Sequence, residues 1–202
     1  MIAIVDYDAG NLASVVRALE HLGAECRITR EKEEILQAER LILPGVGAFG
    51  DAMEKLGRFD LVDTIKEFIA SGKPFLGICL GQQLMFESSE ETPGVKGLGI
   101  LPGKIVRIPA ETGLKIPHMG WNSLSIRPDS RLFAGLPQDS YVYFVHSYYL
   151  QAENPSDVAA TAEYGVTIHA AVEHDNIFAC QFHPEKSGEV GLHILKNFIE
   201  MV

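Results

Sequence analysis

Disulfide scaffolds, zinc modules and membrane spans each need something that this 202-residue chain has little of. Its cysteines number three, Cys26, Cys79 and Cys180, far apart and never in C-x-x-C spacing, so neither a disulfide framework nor a zinc site is expected. Free thiols suit a reducing compartment. No apolar run approaches the ~20 residues of a bilayer span. The chain opens on strand-like Ile2-Ala3-Ile4-Val5 rather than a basic segment with a cleavage site, which leads to the expectation of a cytoplasmic protein without membrane contact. Positive charge is also short. Against 27 Asp and Glu stand 17 Lys and Arg, a formal net charge of −10, which argues against nucleic acid or an anionic membrane as a general partner. His118, His146, His169 and His174 lack metal-ligand spacing, and Asp6-x-Asp8 lacks the Gly and Glu of a calcium loop, so no metal and no cofactor is assigned. Neither an internal repeat nor a low-complexity linker divides the chain. A chain of this size buries roughly 70% of its unfolded surface, and one domain over residues 1–202 is expected.

What is present is an alternation of short apolar strands with amphipathic helices. Strand Ile2–Val5 precedes a helix over 14–20 ended by Gly23. Strand Cys26–Thr29, an acidic helical stretch, strand Arg40–Leu43, a helix over 61–70 stopped by Gly72 and strand Lys73–Ile78 follow. This pattern indicates an α/β fold, a mainly parallel sheet with helices on both faces. After Pro93 short strand candidates at 104–108, 123–126, 141–145 and 170–173 indicate an antiparallel extension, before Ile177–Phe182 forms a further strand. In parallel sheets ligands sit beyond the carboxyl ends of strands.

Two such ends carry chemistry. Gly77-Ile78-Cys79-Leu80-Gly81 sets one cysteine between two glycines where an apolar strand gives way to the helical spacing of 82–87. A nucleophile elbow needs this arrangement, because side chains two residues either side of the turn would collide. Helix N–H groups beside the sulfur then favour thiolate over thiol. Pro44-Gly45-Val46-Gly47 ends the neighbouring strand. Glycines flanking Val46 let a peptide N–H turn into a cleft and hold an oxyanion, with Leu80 N–H as second donor. Finally, His183-Pro184-Glu185 closes the strand at 177–182, and alternation along an extended chain puts the imidazole and the carboxylate on one side. A carboxylate on one ring nitrogen fixes the tautomer and raises the basicity of the other, as a general base for a thiol requires. Cys79, His183 and Glu185 are thus the expected catalytic set.

These pieces together resemble the triad (class I) glutamine amidotransferases, over the whole length of the chain. Pro117-His118-Met119-Gly120-Trp121-Asn122 and Tyr143-Phe144-Val145-His146-Ser147-Tyr148 are similar to the branch of that family which delivers ammonia to a cyclase subunit in histidine biosynthesis. The resemblance implies a flavodoxin-like layered fold and L-glutamine as substrate. It implies Val46 and Gly47 as oxyanion strand, and Gln83 with His146, Ser147 and Tyr148 as binders of the glutamine backbone. It also implies a heterodimer with the cyclase subunit, docked around Met119, Trp121 and Asn122, with Asn11 and Lys186 as flanking polar contacts. Two positions depart from the family: Gln82, where methionine is common, and Asp8 in the opening Asp-Tyr-x-x-Gly-Asn. A thiol peptidase or γ-glutamyl hydrolase would share the elbow and the Cys-His-Glu set, and turnover of peptides or polyglutamates without a partner would identify it. A binding module with a decayed site would show no selective thiol reactivity.

Overall fold

The computed structural model describes residues 1–110 and 113–201. In chain order its elements are β1 (Ile2–Val5), α1 (Leu12–His21), β2 (Cys26–Thr29), α2 (Lys32–Gln37), β3 (Arg40–Gly45), α3 (Phe49–Arg58), α4 (Leu61–Ala70), β4 (Phe75–Cys79) and α5 (Leu80–Leu84). There follow β5 (Ser88–Ser89), β6 (Gly103–Arg107), β7 (His118–Ser123), β8 (Ser125–Ile126), β9 (Tyr141–His146), β10 (Tyr148–Ala152), β11 (Val158–Glu163), β12 (Thr167–His174), β13 (Ile177–Cys180) and α6 (Gly188–Glu200).

Eight strands form the central sheet in the order β2-β1-β3-β4-β13-β12-β11-β8. The first five run parallel, and β12, β11 and β8 add antiparallel ladders at one side. Every residue of β1, β4 and β13 is buried, which is why these strands read as unbroken apolar runs rather than alternating ones. The two faces still separate by parity. Ile2, Ile4 and Ile42 pack with Val15, Leu19, Ile194 and Phe198 of α1 and α6. Ala3, Val5, Leu41 and Leu43 pack with Ile35, Leu56, Ile65 and Phe68 of α2, α3 and α4. Helices therefore cover both faces, as the α/β alternation requires.

The region after Pro93 is more divided than the sequence pattern indicates. Of the four expected strands there, 170–173 lies within β12 and 125–126 forms β8 in the central sheet. β6 instead joins a three-stranded sheet, β10-β6-β5, and β9 pairs with β7 in a two-stranded one. Apolar alternation sets which face of a strand is buried, but not which strand it pairs with. Helix α3 is absent from the sequence reading. Its buried residues Phe49, Ala52 and Leu56 do stand at helical spacing, but Gly50 and Gly57 mask the propensity. Gly50 serves an approach, since a Cβ there would lie 2.6 Å from Thr92 Cγ2.

Candidate active site

Cys79 ends β4 and directly precedes α5, with φ 55° and ψ −109°. A non-glycine residue at such angles is strained by about 1–3 kcal/mol and persists only where its surroundings over-determine it. The surroundings here are close backbone contacts. A Cβ at Gly81 would lie 1.8 Å from the Leu43 carbonyl oxygen, and one at Gly77 would meet Met85 Sδ at 2.8 Å and the Gly81 carbonyl carbon at 2.9 Å. The glycines of the elbow are thus dictated by space, as the sequence spacing implies.

His183, three residues past the end of the neighbouring strand, lines the same cleft as Cys79, and its buried Nε2 has no hydrogen-bond partner among the described residues. Its Nδ1 stands 2.7 Å from Glu185 Oε1, with both side chains almost wholly buried. The local geometry differs from the extended segment read from the sequence. β13 stops at Cys180, and Pro184–Lys186 form one 3₁₀ turn with His183 as its extended N-cap. Proline suits the first position of such a turn because its φ is preset and its missing N–H is not needed there. Burial alone would depress the His183 pKa. The neighbouring Cys79 sulfur and the hydrogen-bonded Glu185 carboxylate outweigh it and raise the value to about 9. At neutral pH the imidazole is accordingly held protonated beside the sulfur.

A cavity of about 440 Å³ opens over Cys79, within the range of small-molecule sites. Val46, Gly47, Leu80, Gln83, His146, Ser147, Tyr148 and His183 all line it with Cys79, so residues far apart in the chain meet at one cleft. Glu185 lies behind His183, its Oε2 buried without a protein partner among the described residues, beside a second cavity lined by Ser14 and Arg17. At the end of β3 and in the loop after it, Gly45 and Gly47 do different work. Gly47 takes φ +105°, where only glycine is unstrained, whereas Gly45 provides room, since a Cβ there would strike Tyr7 Oη at 2.3 Å. That hydroxyl donates to Pro44 O at 2.9 Å and ties the segment after β1 to the end of β3.

Of the expected surface residues, Met119 and Trp121 are 62% and 56% exposed. They share one side of β7, opposite Val145 and Tyr143 of β9 in the ladder, and Val145 reaches the cleft wall. Asn122 faces the other way, donating to Glu163 O and to a ring nitrogen of His118, as strand alternation demands. Asn11, at the N-cap of α1, and Lys186, in the turn after His183, are both exposed. Gln82 is fully buried and donates to His169 O at 3.3 Å, turned away from the elbow's cleft.

Sequence reasoning missed two neighbours of the site. Glu91 brings a carboxylate to the cleft wall, where its Oε2 accepts from Phe49 N at 2.8 Å, the favourable place for an anion at a helix N-terminus. Gln181 is fully buried next to Cys79. Its one signal in the sequence is an amide inside an otherwise apolar strand run.

Elbow, imidazole and carboxylate thus stand together on a layered α/β scaffold. The chain matches the family described as glutamine amidotransferase class-I over residues 3–202, and it belongs to that family. It is 52% identical over 202 residues to imidazole glycerol phosphate synthase subunit HisH of Methanothermobacter thermautotrophicus, covering 100% of this chain and 99% of the relative. It is 54% identical to the subunit of the same name from Thermosynechococcus vestitus, covering 100% and 97%. Among solved structures, PurLQS from Thermotoga maritima superposes with a TM-score of 0.77 at 20% identity, over 98% of this chain and 96% of that one. At that identity the likeness concerns the fold.

Proposed function

We propose that this chain is the glutaminase subunit of an imidazole glycerol phosphate synthase, one domain over residues 1–202 that hydrolyses L-glutamine and passes ammonia to a cyclase subunit. Full-length identity near one half to subunits of that name supports the assignment. The observation that carries the chemistry is the strained Cys79 elbow, with His183 lining the same cleft and Glu185 2.7 Å behind the imidazole.

The Cys79 thiolate attacks the side-chain amide carbon of glutamine, and the carbonyl oxygen becomes an oxyanion held by backbone N–H groups of the Val46-Gly47 loop and Leu80. The His183 imidazolium gives its proton to the leaving nitrogen as the C–N bond breaks, which releases ammonia and leaves a glutamyl thioester. Neutral His183 then takes a proton from water, whose oxygen displaces the sulfur, and glutamate leaves. Gln83, His146, Ser147 and Tyr148, which line the cleft, bind the amino-acid end of glutamine in this reading. Ammonia freed into water would be protonated and lost as a nucleophile, so a shielded path to an acceptor on a partner is required. Met119 and Trp121, with Asn11 and Lys186 as further polar contacts, form the proposed docking surface, from which Asn122 drops out because it faces the opposite side of β7, and the three unpaired thiols suit the cytoplasm.

Glutamate release measured with and without a cyclase subunit and its acceptor tests the reading. Coupled release supports it. Hydrolysis of peptides or polyglutamates by the chain alone, with no response to the cyclase, overturns it.

A further inference from the structure

Behind the cleft runs a hydrogen-bonded chain in which Gln181 and His118 have no part in the chemistry above. Gln181 Nε2 donates to Cys79 Sγ at 3.8 Å. Gln181 Oε1 accepts from Gln83 Nε2 at 2.9 Å, and the same nitrogen donates to Tyr148 O at 3.1 Å. That carbonyl accepts again from His146 Nδ1 at 2.8 Å. His146 Nε2 lies 2.9 Å from His118 Nδ1, and His118 Nε2 lies 3.3 Å from Asn122 Nδ2.

The protons along this chain are fixed from both ends. A carbonyl only accepts, so His146 carries its hydrogen on Nδ1 and accepts at Nε2. His118 must then donate from Nδ1 and accept at Nε2 from the Asn122 amide. The amide is oriented independently, since Nδ2 also donates to Glu163 O at 3.0 Å and Oδ1 accepts from Ser123 N at 2.8 Å. Burial holds both rings neutral, with pKa values lowered to about 4 for His118 and about 3 for His146. His118 has no rotational slack, stacked against Phe144 at 4.6 Å and Tyr164 at 3.9 Å between ring centroids. Burying two imidazoles and two amides costs free energy unless every bond is made, and a fully made network specifies one geometry. The geometry specified here ends on the nucleophile.

We propose that Gln181 is a further catalytic residue whose amide N–H holds the Cys79 sulfur, and that His118 and His146 are positioning residues which hold Gln181 through Tyr148 O and Gln83. A donor aimed at a thiolate makes a charge-assisted bond that favours the ionised sulfur and fixes its direction of attack. The proposal rests on Cys79 being the nucleophile of the proposed function.

The test reads the thiol directly, as the rate of Cys79 alkylation by iodoacetamide on the full chain across the pH range in which the thiol ionises. Gln181→Met keeps the volume and removes the donor. It should slow alkylation at neutral pH about tenfold, equivalent to one unit in thiol pKa, and move the midpoint upward. His118→Phe keeps the stack and removes both ring nitrogens, and should slow alkylation about threefold. His118→Asn returns an N–H donor near the Nδ1 position and should recover most of that loss. Wild-type alkylation in a folded Gln181→Met chain overturns the proposal. If His118→Phe and His118→Asn are slowed alike, in step with their loss of thermal stability, the positioning role is overturned as well. The His118 pair also keeps the question answerable should Gln181→Met not fold. Alkylation needs neither glutamine nor a cyclase, so failure of the amidotransferase reading shows separately, as absent glutamate release by a wild-type chain whose thiol still depends on Gln181.

Discussion

A protonated imidazole between a sulfur and a buried carboxylate makes His183 the residue on which the pH behaviour turns. Its pKa rises from 6.5 to about 9 in the folded chain, against burial, through Cys79 and Glu185. The native state therefore binds this proton more tightly than the unfolded chain does. The stabilisation it contributes is complete below pH 6.5 and is lost as pH rises through about 9. Glu185→Gln removes one cause of the rise, so its denaturation midpoint should fall less steeply over that window than wild type. Parallel profiles in urea titrations would refute the coupling. Cys79→Ala should lower the His183 titration seen by NMR and abolish glutamine use, while a cyclase complex still runs on added ammonium salts. Loss of the ammonia-driven reaction too would mean a misfolded or misassigned site. That Cys79, His183 and Glu185 would lie together was legible because their local spacing is characteristic. Gln181 was not, since an amide announces no function until its partners are seen.

The elbow shows how an element can be specified by two missing side chains. At Gly81 the obstacle is a backbone oxygen, 1.8 Å from the Cβ position, and no rotamer relieves it. Gly81→Ala should cost several kcal/mol, at the exceptional end for a point substitution, and a calorimetric melt within a few degrees of wild type would contradict the geometry. Gly47 is a different case. A Cβ there would meet no atom within 4 Å, but φ is +105°, so Gly47→Ala carries only backbone strain of roughly 1–2 kcal/mol. Its fold should survive while the loop is driven toward another peptide orientation. One lost oxyanion donor lowers turnover by ~10²–10³, and unchanged glutamine turnover in the folded Gly47→Ala chain would remove this loop from the oxyanion role. Periodicity gave the parallel strands and most helices because full burial and amphipathic spacing are local properties. It misread the His183–Glu185 segment as extended, because a 3₁₀ turn of three residues is too short to leave a period.

Across the whole molecule, the cleft and the largest exposed side chains adjoin. The β7–β9 ribbon presents Met119, Trp121 and Tyr141, 62%, 56% and 57% exposed, while its Val145 and His146 reach the cleft wall. Its other side is built from His118, Asn122 and Phe144, the residues of the hydrogen-bonded chain and its stack. That a Gly- and Pro-rich segment with one tryptophan forms a strand at the mouth of the site could not be read from its composition, since its paired residues lie 18 to 28 positions further on. If this ribbon docks on a cyclase, Trp121 is the aromatic anchor and its truncation costs ~2 kcal/mol or more in association. Trp121 is more than half exposed and touches Tyr143 only edge-on, so Trp121→Ala should leave the circular dichroism and melting of the free chain unchanged. In the complex it should weaken binding at least tenfold, or release ammonia to solvent so that glutamate exceeds final product. A Trp121→Ala complex with full affinity and one glutamate per product would make this ribbon an idle surface and remove Trp121 from the docking face.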